Sequence, residues 1–435
     1  MMQQIFIGLG GGGTESYWYA TIGDSNSNKG NDVAIDSDGN VYTSGVSEGD
    51  IFVVKHDKDG TEQWQRLIDT NSSEKVGIGL DSSSNVYVVG DTDESPSQGS
   101  LDFHITKFNS SGTEQWQKGL GGSGIEQFFG HSTTDSSGNT YGVGYTTSAG
   151  QGTFAQYLAK WNSSGTVQWQ RTLSMSGQHT GRDVAFDSSG NVYMCGESDL
   201  GTLNNTNLTL AKWASNGTHQ WTRYLRGSSY GEIGNAVAVD SSDNIYVCGS
   251  TSSLGSGSND LLLVKYNSSG TVQWRRLLGG SGSDRGTGVA VDSSDNVYVC
   301  GTTRSTSSGT QIRYIMIAKI DSSGSLQWQN TLGGSSQDYG EHIKVDSSDN
   351  IYVVGRTQST GQGSDDMFVA KLPNDGSLTG TYGSLTYAAS SFNFSNPSFT
   401  EGTPSLSSAT ASLTSSTFNL TVSNSSLTST TTTIS

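Results

Sequence analysis

The chain has little proline, little cysteine and few charged side chains: its 435 residues include 4 Pro, 3 Cys and 14% charged residues. Three cysteines cannot form the disulfide framework of a small secreted domain. Cys195, Cys248 and Cys300 each precede a glycine in a similar context, Val- or Ile-Tyr-x-Cys-Gly. Because equivalent sites in successive repeats lie too far apart to bridge, we predict three buried free thiols.

Positive charge and long apolar runs are also scarce. Lys and Arg number 23 against 40 Asp and Glu, which gives a net charge of −17. Binding to nucleic acid or to an anionic membrane requires a basic face, so neither partner is expected. No run of 18 apolar residues occurs, so we expect no membrane insertion. The start, MMQQIFIGLGGGG, lacks the basic and long apolar regions of a secretory signal, which favours synthesis and assembly in the cytoplasm.

Repetition is the dominant feature of the sequence. The motif Asp-x-x-x-Asn-x-Tyr occurs seven times, every 45 to 54 residues, and a Trp and a Lys recur in step with it. Its first residues, called here the turn aspartates, are Asp36, Asp81, Asp135, Asp187, Asp240, Asp292 and Asp346. Such a period indicates a repeat architecture.

Each copy predicts four strands. In the sixth copy the runs GVAVD, NVYVCG, YIMIAKI and SLQWQNTLGG are separated by Gly-, Asn- and Ser-rich turns. Seven such units predict an all-β, seven-bladed β-propeller over residues 14–380, after a flexible N-terminal segment, 1–13. Small residues in the first strand and Trp in the fourth place the first strand nearest the axis.

The last copy lacks the expected outer strand, since Gly380 and Tyr382 stand where the other copies have Gln-Trp. The segment TESYWYATIG resembles a fourth strand without its first three. We therefore predict that the strand containing Trp18 pairs with Met367–Lys371 and closes the ring, which removes two sheet edges.

The repeated Asp and Lys of one copy are predicted to end near the same face. Strands one and three run in the same direction and lie two inter-strand steps apart, about 10 Å. A Lys side chain spans that distance, so pairs such as Asp240 with Lys265 are expected. The alternative is that the Asp caps its own turn while the Lys extends to solvent.

Residues 381–435 form a different region, rich in Ser and Thr, with one apolar residue every seven positions. Pro, β-branched Thr and a single apolar position per heptad are unfavourable for a coiled coil, so an extended β-type segment is predicted. One apolar residue in seven gives no core of its own. We therefore expect burial against other chains, in a homo-oligomer with a trimer favoured, or by docking on another virion protein. The residues expected to do this are Leu385, Phe392, Phe399, Leu406, Leu413, Leu420, Leu427 and Ile434.

The repeat itself resembles a known family. GGSGSDRGTGVAVDSSDNVYVCGTT and GGSSQDYGEHIKVDSSDNIYVVGRT are similar to SBBP-type β-propeller repeats, over roughly residues 14–380. Such repeats are found in bacterial surface proteins and in virion proteins of tailed phages, including phages of marine cyanobacteria. The short N-terminus and the heptads resemble phage appendage proteins. The resemblance implies no single activity and no catalytic residues.

Candidate chemistry is sparse in the sequence. The segments Asp36–Asn40 and Asp57–Gly60 fit hairpin turns better than calcium loops, which need a longer ligand series. Among the six histidines only His131 and His342 share a repeat phase, in the third and seventh copies. We expect the ring to separate them, so no metal site, no cofactor and no enzymatic activity are predicted.

Recognition is expected on the face with variable loops, between strands two and three and between blades. Aromatic and charged groups beside hydroxyls and amides suit sugars. The candidate contact residues are Phe128, Phe129, Tyr230, Asp284, Arg285, Asp338 and Tyr339. For each residue, packing between blades is the alternative.

The hypothesis from sequence is a non-enzymatic structural protein of a phage appendage, such as a tail fibre, located in the virion. It would contact other virion proteins and attach to a host surface glycan. A bacterial cell-surface or secreted adhesive propeller is the alternative, and a glycan-active enzyme is a third hypothesis of a different class.

Overall fold

The computed structural model describes residues 15–71, 73–93, 99–150, 153–174, 177–199, 206–227, 231–305, 312–361, 363–398, 400–402, 407–410, 414–417, 422–423 and 428–434. Over these residues the regular structure is entirely β-strand, and none of them forms a helix long and apolar enough to cross a membrane. Seven antiparallel sheets, the blades, are arranged in a ring.

Each blade begins at the axis with its own first strand. The seven inner strands contact one another in a closed circle, the first against the last. They are β2 (Asn28–Ile35), β6 (Gly77–Leu80), β10 (Glu126–Thr134), β14 (His179–Phe186), β18 (Glu232–Val239), β22 (Asp284–Val291) and β26 (Asp338–Val345). Glycines in these strands, such as Gly77 and Gly130, allow this close approach, because a Cβ at either position would collide with the backbone of the next inner strand.

The second and third strands of each blade are buried on both faces between neighbouring blades. The second strands are β3 (Val41–Ser47), β7 (Val86–Thr92), β11 (Thr140–Thr146), β15 (Val192–Asp199), β19 (Ile245–Thr251), β23 (Val297–Thr303) and β27 (Ile351–Thr357). The third strands are β4 (Asp50–His56), β8 (Asp102–Phe108), β12 (Ala155–Trp161), β16 (Thr206–Trp213), β20 (Asp260–Tyr266), β24 (Tyr314–Ile320) and β28 (Asp366–Leu372).

The fourth strands carry the repeated tryptophans and lie toward the rim. Six follow directly in sequence: β5 (Glu62–Ile68), β9 (Glu114–Gly121), β13 (Val167–Ser174), β17 (His219–Arg226), β21 (Val272–Gly279) and β25 (Leu326–Gly333). The seventh is the N-terminal strand β1 (Tyr17–Gly23), which pairs antiparallel with β28 in the register Trp18 with Lys371 and Ile22 with Met367. This is the closure that the sequence predicts.

The turn aspartates explain the repeated motif. Asp240 accepts hydrogen bonds from the amides of Ser242 and Asn244 and from the Tyr246 hydroxyl, at 2.8 to 3.0 Å. Lys265 Nζ lies 3.5 Å from Asp240 Oδ2 and donates to the Ser322 carbonyl of the next blade. The Lys thus has both the carboxylate and a neighbouring turn as partners, and it is buried.

Residues of the fourth strands also link neighbouring blades, on the face where the turn aspartates lie. Trp274 Nε1 and Arg276 Nε donate to the Ser322 and Gly324 carbonyls of the adjacent blade. Equivalent hydrogen bonds to turn carbonyls are donated by the indole groups of Trp18, Trp64, Trp169 and Trp328. We call this side, where strands one and three end in short turns, the tight-turn face.

The C-terminal segment forms a belt around the ring. After a hairpin of β29 (Gly380–Tyr382) and β30 (Leu385–Ala389), six further short strands follow: β31 (Asn393–Ser395), β32 (Thr400–Gly402), β33 (Ser407–Thr410), β34 (Thr414–Thr417), β35 (Val422–Ser423) and β36 (Thr428–Ile434). The strands β30 to β36 add in turn to the outer strands β25, β21, β17, β13, β9, β5 and β1.

The belt explains why the apolar residues of the C-terminal segment are spaced seven apart. Each seven-residue interval adds one strand to one blade, and seven extended residues reach at most about 25 Å to the next. In six blades the paired residues lie in the second halves of the outer strands, for example Asn330–Gly333 with Thr386–Ala389, whereas β36 pairs along the whole of β1. The belt therefore runs on the side opposite the tight-turn face, covering edges that would otherwise be open.

The expectation that apolar heptad residues need other chains for burial is wrong at the two positions whose side chains are described. Leu385 is 1% exposed within the hydrophobic core of the last two blades, and Phe392 is 8% exposed in the core around Leu278. The strand pairing places these residues against the outer strands of their own chain, which supplies the missing core.

The other heptad positions give no side-chain information. Phe399, Leu406, Leu413, Leu420 and Leu427 lie outside the described residues, and only the backbone of Ile434 is described, paired with Tyr17. Homo-oligomerisation through these positions stays a prediction.

Candidate functional site: the channel along the ring axis

The residue four places before each turn aspartate occupies the axial position. In five blades the ladder between the first two strands skips one residue directly before it, for example between Gly181 and Asp183, and between Gly340 and His342. Such a bulge redirects side chains, here toward the axis. The axial residues are Asp32, Gly77, His131, Asp183, Ala236, Gly288 and His342.

Two aspartates and two histidines of this layer form a buried group, called here the axial cluster: Asp32, His131, Asp183 and His342. The imidazole rings of His131 and His342 are stacked with centroids 3.8 Å apart and planes 10° apart. His342 Nδ1 lies 2.5 Å from Asp32 Oδ1, and His131 Nδ1 lies 3.9 Å from Asp183 Oδ1. The expectation that the ring separates the two histidines is therefore wrong, because inner strands of non-adjacent blades converge at the axis.

The two carboxylates also join neighbouring blades. Asp32 accepts hydrogen bonds from the amides of Val33 and, in the second blade, Ile78. Asp183 accepts from Val184 and from Val237 of the fifth blade, both at 2.7 Å. Each carboxylate is therefore held in place by backbone amides of two neighbouring blades.

Burial controls protonation in this layer. It lowers the pKa of both imidazoles well below the usual value, with His342 further lowering that of His131 and Lys344 that of His342. Burial raises the pKa of Asp32, and that of Asp183 to about 7. The imidazoles are therefore neutral at neutral pH, the state in which a nitrogen lone pair is available.

Charged side chains meet above the axial cluster, at the end of the ring axis on the side opposite the tight-turn face. We call this side the loop face and this end of the axis the channel mouth. Lys75 Nζ lies 2.9 Å from Glu341 Oε2, and Arg182 Nη2 lies 2.6 Å from Glu197 Oε1. Although burial opposes its ionisation, Lys75, Arg356 and Arg285 hold the pKa of Glu341 below its ordinary value. Four cations thus act on this small region of a strongly acidic protein.

Aromatic rings accompany these cations. The Arg182 guanidinium lies 5.0 Å from the Phe129 ring centroid, and that of Arg356 lies 4.0 Å from the Tyr339 centroid. Arg313 Nη1 donates to the Tyr339 hydroxyl at 2.9 Å. A cavity of about 810 Å³ adjoins the mouth, with Lys29, Lys75, Phe129, Glu341 and Arg356 among its lining residues.

Three of the predicted contact residues are structural, which corrects the sequence-based interpretation. Asp284 is fully buried and accepts from the Gly280 amide and the Ser305 hydroxyl, and Asp338 does the same with Gly334 and Ser359. A carboxylate at the start of an inner strand satisfies the inter-blade loop, so these groups are not presented to a ligand.

Phe128 is also fully buried, with its ring 5.8 Å from that of Phe103 in the core between the second and third blades. Packing between blades, the alternative interpretation, is thus correct for this residue. Tyr230 lies outside the described residues.

Phe129, Arg285 and Tyr339 lie around the mouth, where Arg285 is exposed and donates to Asn235. Sequence reasoning missed Lys75, Arg182, Glu341 and Arg356. The available signal was departure from the repeat: Arg182 and Glu341 both directly precede an axial residue, where other copies have Asn, Val, Gly or Thr.

Comparison with known families supports the repeat type. Residues 220–255, 273–307 and 328–361 match the SBBP family, described as a beta-propeller repeat. Residues 241–272 match a second family, a domain of unknown function described as a beta-propeller. The chain therefore carries SBBP β-propeller repeats.

Among curated proteins, the regulatory protein FlaEY of Caulobacter vibrioides is 30% identical over 121 residues. The match covers 25% of this chain and 12% of the relative, so the chain spans only a small part of that protein.

Three solved structures show a distant similarity to this chain. A virginiamycin B lyase from Staphylococcus aureus is 9% identical with a TM-score of 0.47, covering 81% of this chain and 100% of its own. YCF48 from Cyanidioschyzon merolae is 12% identical with a TM-score of 0.46, covering 82% and 99%. NanB sialidase from Streptococcus pneumoniae is 11% identical with a TM-score of 0.43, covering 81% and 69%. At these values the likeness carries no argument about activity.

Proposed function

We propose that this protein is a non-enzymatic binding protein that recognises an acidic glycan of a host cell surface at the channel mouth. The observation that carries the proposal is the meeting of Arg182, Arg285 and Arg356 with Phe129 and Tyr339, from four different blades, on a chain of net charge −17. Guanidinium groups bind carboxylates in a fixed planar geometry, and aromatic faces pack against the apolar faces of sugar rings.

The architecture suits attachment. Closure by β1 and the belt of β30 to β36 leave each blade paired at its rim, so the loops are held on a rigid ring. Rigid presentation reduces the entropy that recognition loops lose on binding. We further propose that the protein acts in a phage appendage, located in the virion and in contact with other virion proteins, in keeping with the resemblance of its repeats and heptads.

A glycan array with full-length protein tests the binding proposal. Binding to uronic-acid or sialic-acid glycans is expected, with at least a tenfold loss in Arg285→Gln and Arg356→Gln. Lys58→Gln, which removes an exposed cation from the tight-turn face, is the matched control and retains binding. Release of a cleaved sugar, seen by mass spectrometry, would favour the glycan-active enzyme instead.

Antibody labelling separates the two biological settings. Labelling of purified tailed-phage particles supports the appendage role, whereas labelling confined to bacterial cell envelopes supports the adhesive propeller. Binding of acidic glycans is compatible with either location, so the two experiments fail independently.

A further inference from the structure

The axial cluster has the composition of a metal site. His131, Asp183 and His342 each offer one ligand atom, these atoms lie within 4.8 Å of one another, and all three residues are buried. Two imidazoles and one carboxylate form a ligand set that selects transition-metal ions over Mg²⁺ and Ca²⁺, which prefer oxygen-only sites. None of the other four axial positions offers a free ligand, because they are Gly77, Ala236, Gly288 and the Asp32 that bonds His342.

An unsatisfied atom marks the site independently. His131 Nδ1 is buried and makes no hydrogen bond within the described residues, its nearest acidic neighbour being Asp183 Oδ1 at 3.9 Å. A buried polar atom without a partner is costly, and native proteins rarely retain one unless it has a role. An ion between these two atoms would satisfy both.

The surrounding contacts match those of a metal centre. His342 Nδ1 lies 2.5 Å from Asp32 Oδ1, and a proton on Nδ1 donated to this carboxylate fixes the ring and leaves Nε2 with its lone pair, as in carboxylate–histidine–metal arrangements. Asp183 is held by the Val184 and Val237 amides, yet each carboxylate oxygen can accept one more partner. The arrangement is thus organised before an ion binds.

The cluster also differs from the rest of the ring in a way that packing does not require. Ala236 and Gly288 occupy the same axial position in the fifth and sixth blades, so the fold tolerates small apolar residues there. The Lys344 ammonium is the protein's own cation beside the site and competes with a metal ion, since its charge acts on all four members of the cluster. It lies on the inner strand of the seventh blade, nearer the tight-turn face.

We propose that the ring axis binds one divalent transition-metal ion, through His131 Nδ1, His342 Nε2 and the carboxylate of Asp183, with Asp32 as the positioning residue for His342. The ion would join the third, fourth and seventh blades, and solvent from the channel would complete its coordination. This site is separate from the glycan-binding mouth and does not depend on it.

Zinc titration of chelator-treated full-length protein tests the proposal. One Zn²⁺ per chain is expected by calorimetry and by elemental analysis after gel filtration, without competition from excess Mg²⁺. His131→Gln and His342→Gln are expected to lose the ion, and Asp32→Asn to weaken it by about 10- to 100-fold. His219→Gln, which alters a half-buried histidine bonded to Thr222 in an outer strand, is the matched control and keeps the ion.

A measurement on the unaltered protein avoids dependence on variants that fail to fold. X-ray absorption at the zinc edge should show two imidazole nitrogens and no sulfur in the coordination shell, and Co²⁺ should give a visible absorption band of low symmetry. Absence of stoichiometric Zn²⁺ and Co²⁺ binding, a shell of oxygen alone, or retention of the ion by both histidine variants would overturn the proposal.

Discussion

The two faces of the ring are built in opposite ways. On the tight-turn face, the same Asp, Tyr, Lys and Trp contacts recur from blade to blade, for instance around Asp187 with Lys212 and Asp292 with Lys319. At the axis and the channel mouth, corresponding positions differ in charge, size and chemistry. Residues shared by the copies therefore maintain the blade, and functional candidates are found where copies depart from one another.

The largest effect is expected from the repeated network. Asp240→Ala removes the carboxylate that pairs with the buried Lys265 ammonium and accepts from the Tyr246 hydroxyl, so we expect a loss of about 3 kcal/mol in the free energy of unfolding. Asp321→Ala is the matched control, because Asp321 caps an exposed hairpin turn on the same face. Its loss should stay below about 1 kcal/mol, as measured by urea unfolding. Equal losses in both variants would contradict the distinction.

The belt is expected to contribute next. Phe392→Ser removes a buried ring from the fifth and sixth blades, and a loss of about 2 kcal/mol is expected. Phe394→Ser, at a half-buried ring beside Arg276, should cost less. Light scattering should give the same mass for both variants and the unaltered chain. A fall from trimer to monomer in Phe392→Ser would instead support oligomerisation through the heptads.

A loop-face carboxylate should make stability depend on pH. Burial raises the pKa of Asp91 to about 8, and Oδ2 makes no hydrogen bond within the described residues. As pH rises from about 4 to about 8, the unfolded chain releases this proton while the folded chain keeps it, so stability falls. Relative to the unaltered protein, Asp91→Asn should gain at least about 1 kcal/mol between pH 5 and pH 8.

Asp321 is expected to make stability depend on pH in the opposite direction. Despite some burial, hydrogen bonds from Ser323 and Ser325 lower its pKa, so its contribution is present above its unfolded pKa and is lost as pH falls. Asp321→Asn should therefore lose stability relative to the unaltered protein at neutral pH and match it in acid. Parallel pH profiles for the two Asn variants would refute the assignment of Asp91 as a buried acid.

The smallest effect on stability is expected at the mouth. Arg285→Gln should change the free energy of unfolding by no more than about 0.5 kcal/mol, because the side chain is exposed and donates one bond to Asn235. The same variant is expected to lose glycan binding. A large destabilisation with unchanged binding would place Arg285 among the structural residues.

The fold could be predicted from the sequence because repetition restricts the answer. Seven copies of one strand pattern specify the blade, and the two incomplete ends specify closure through Trp18. The proximity of His131 and His342 was also predictable, because both residues occupy the inner-strand position that faces the axis. Side chains at this position meet across the ring even though the third and seventh blades are not adjacent.

Other features depend on distances and contacts between elements that are far apart in the sequence. The heptad of the C-terminal segment matches the distance between neighbouring outer strands, and the sequence holds no direct measure of that distance. The burial of Asp284 and Asp338 depends on how each inter-blade loop folds back over its carboxylate. An acidic residue at the start of an inner strand has the same sequence signature whether it binds a ligand or the backbone of the preceding loop.

The belt has a consequence for the order in which the chain folds. Strand β1 finds its partner only after β28 exists, and β36 pairs with β1 in turn, so the contacts of highest sequence separation form last. Non-local pairing of this kind slows folding. During synthesis the ring therefore stays open until nearly all of its strands are available, and a refolding experiment should show a late, slow phase reported by the indole of Trp18. Once formed, that last pairing engages both ends of the described chain in a single blade.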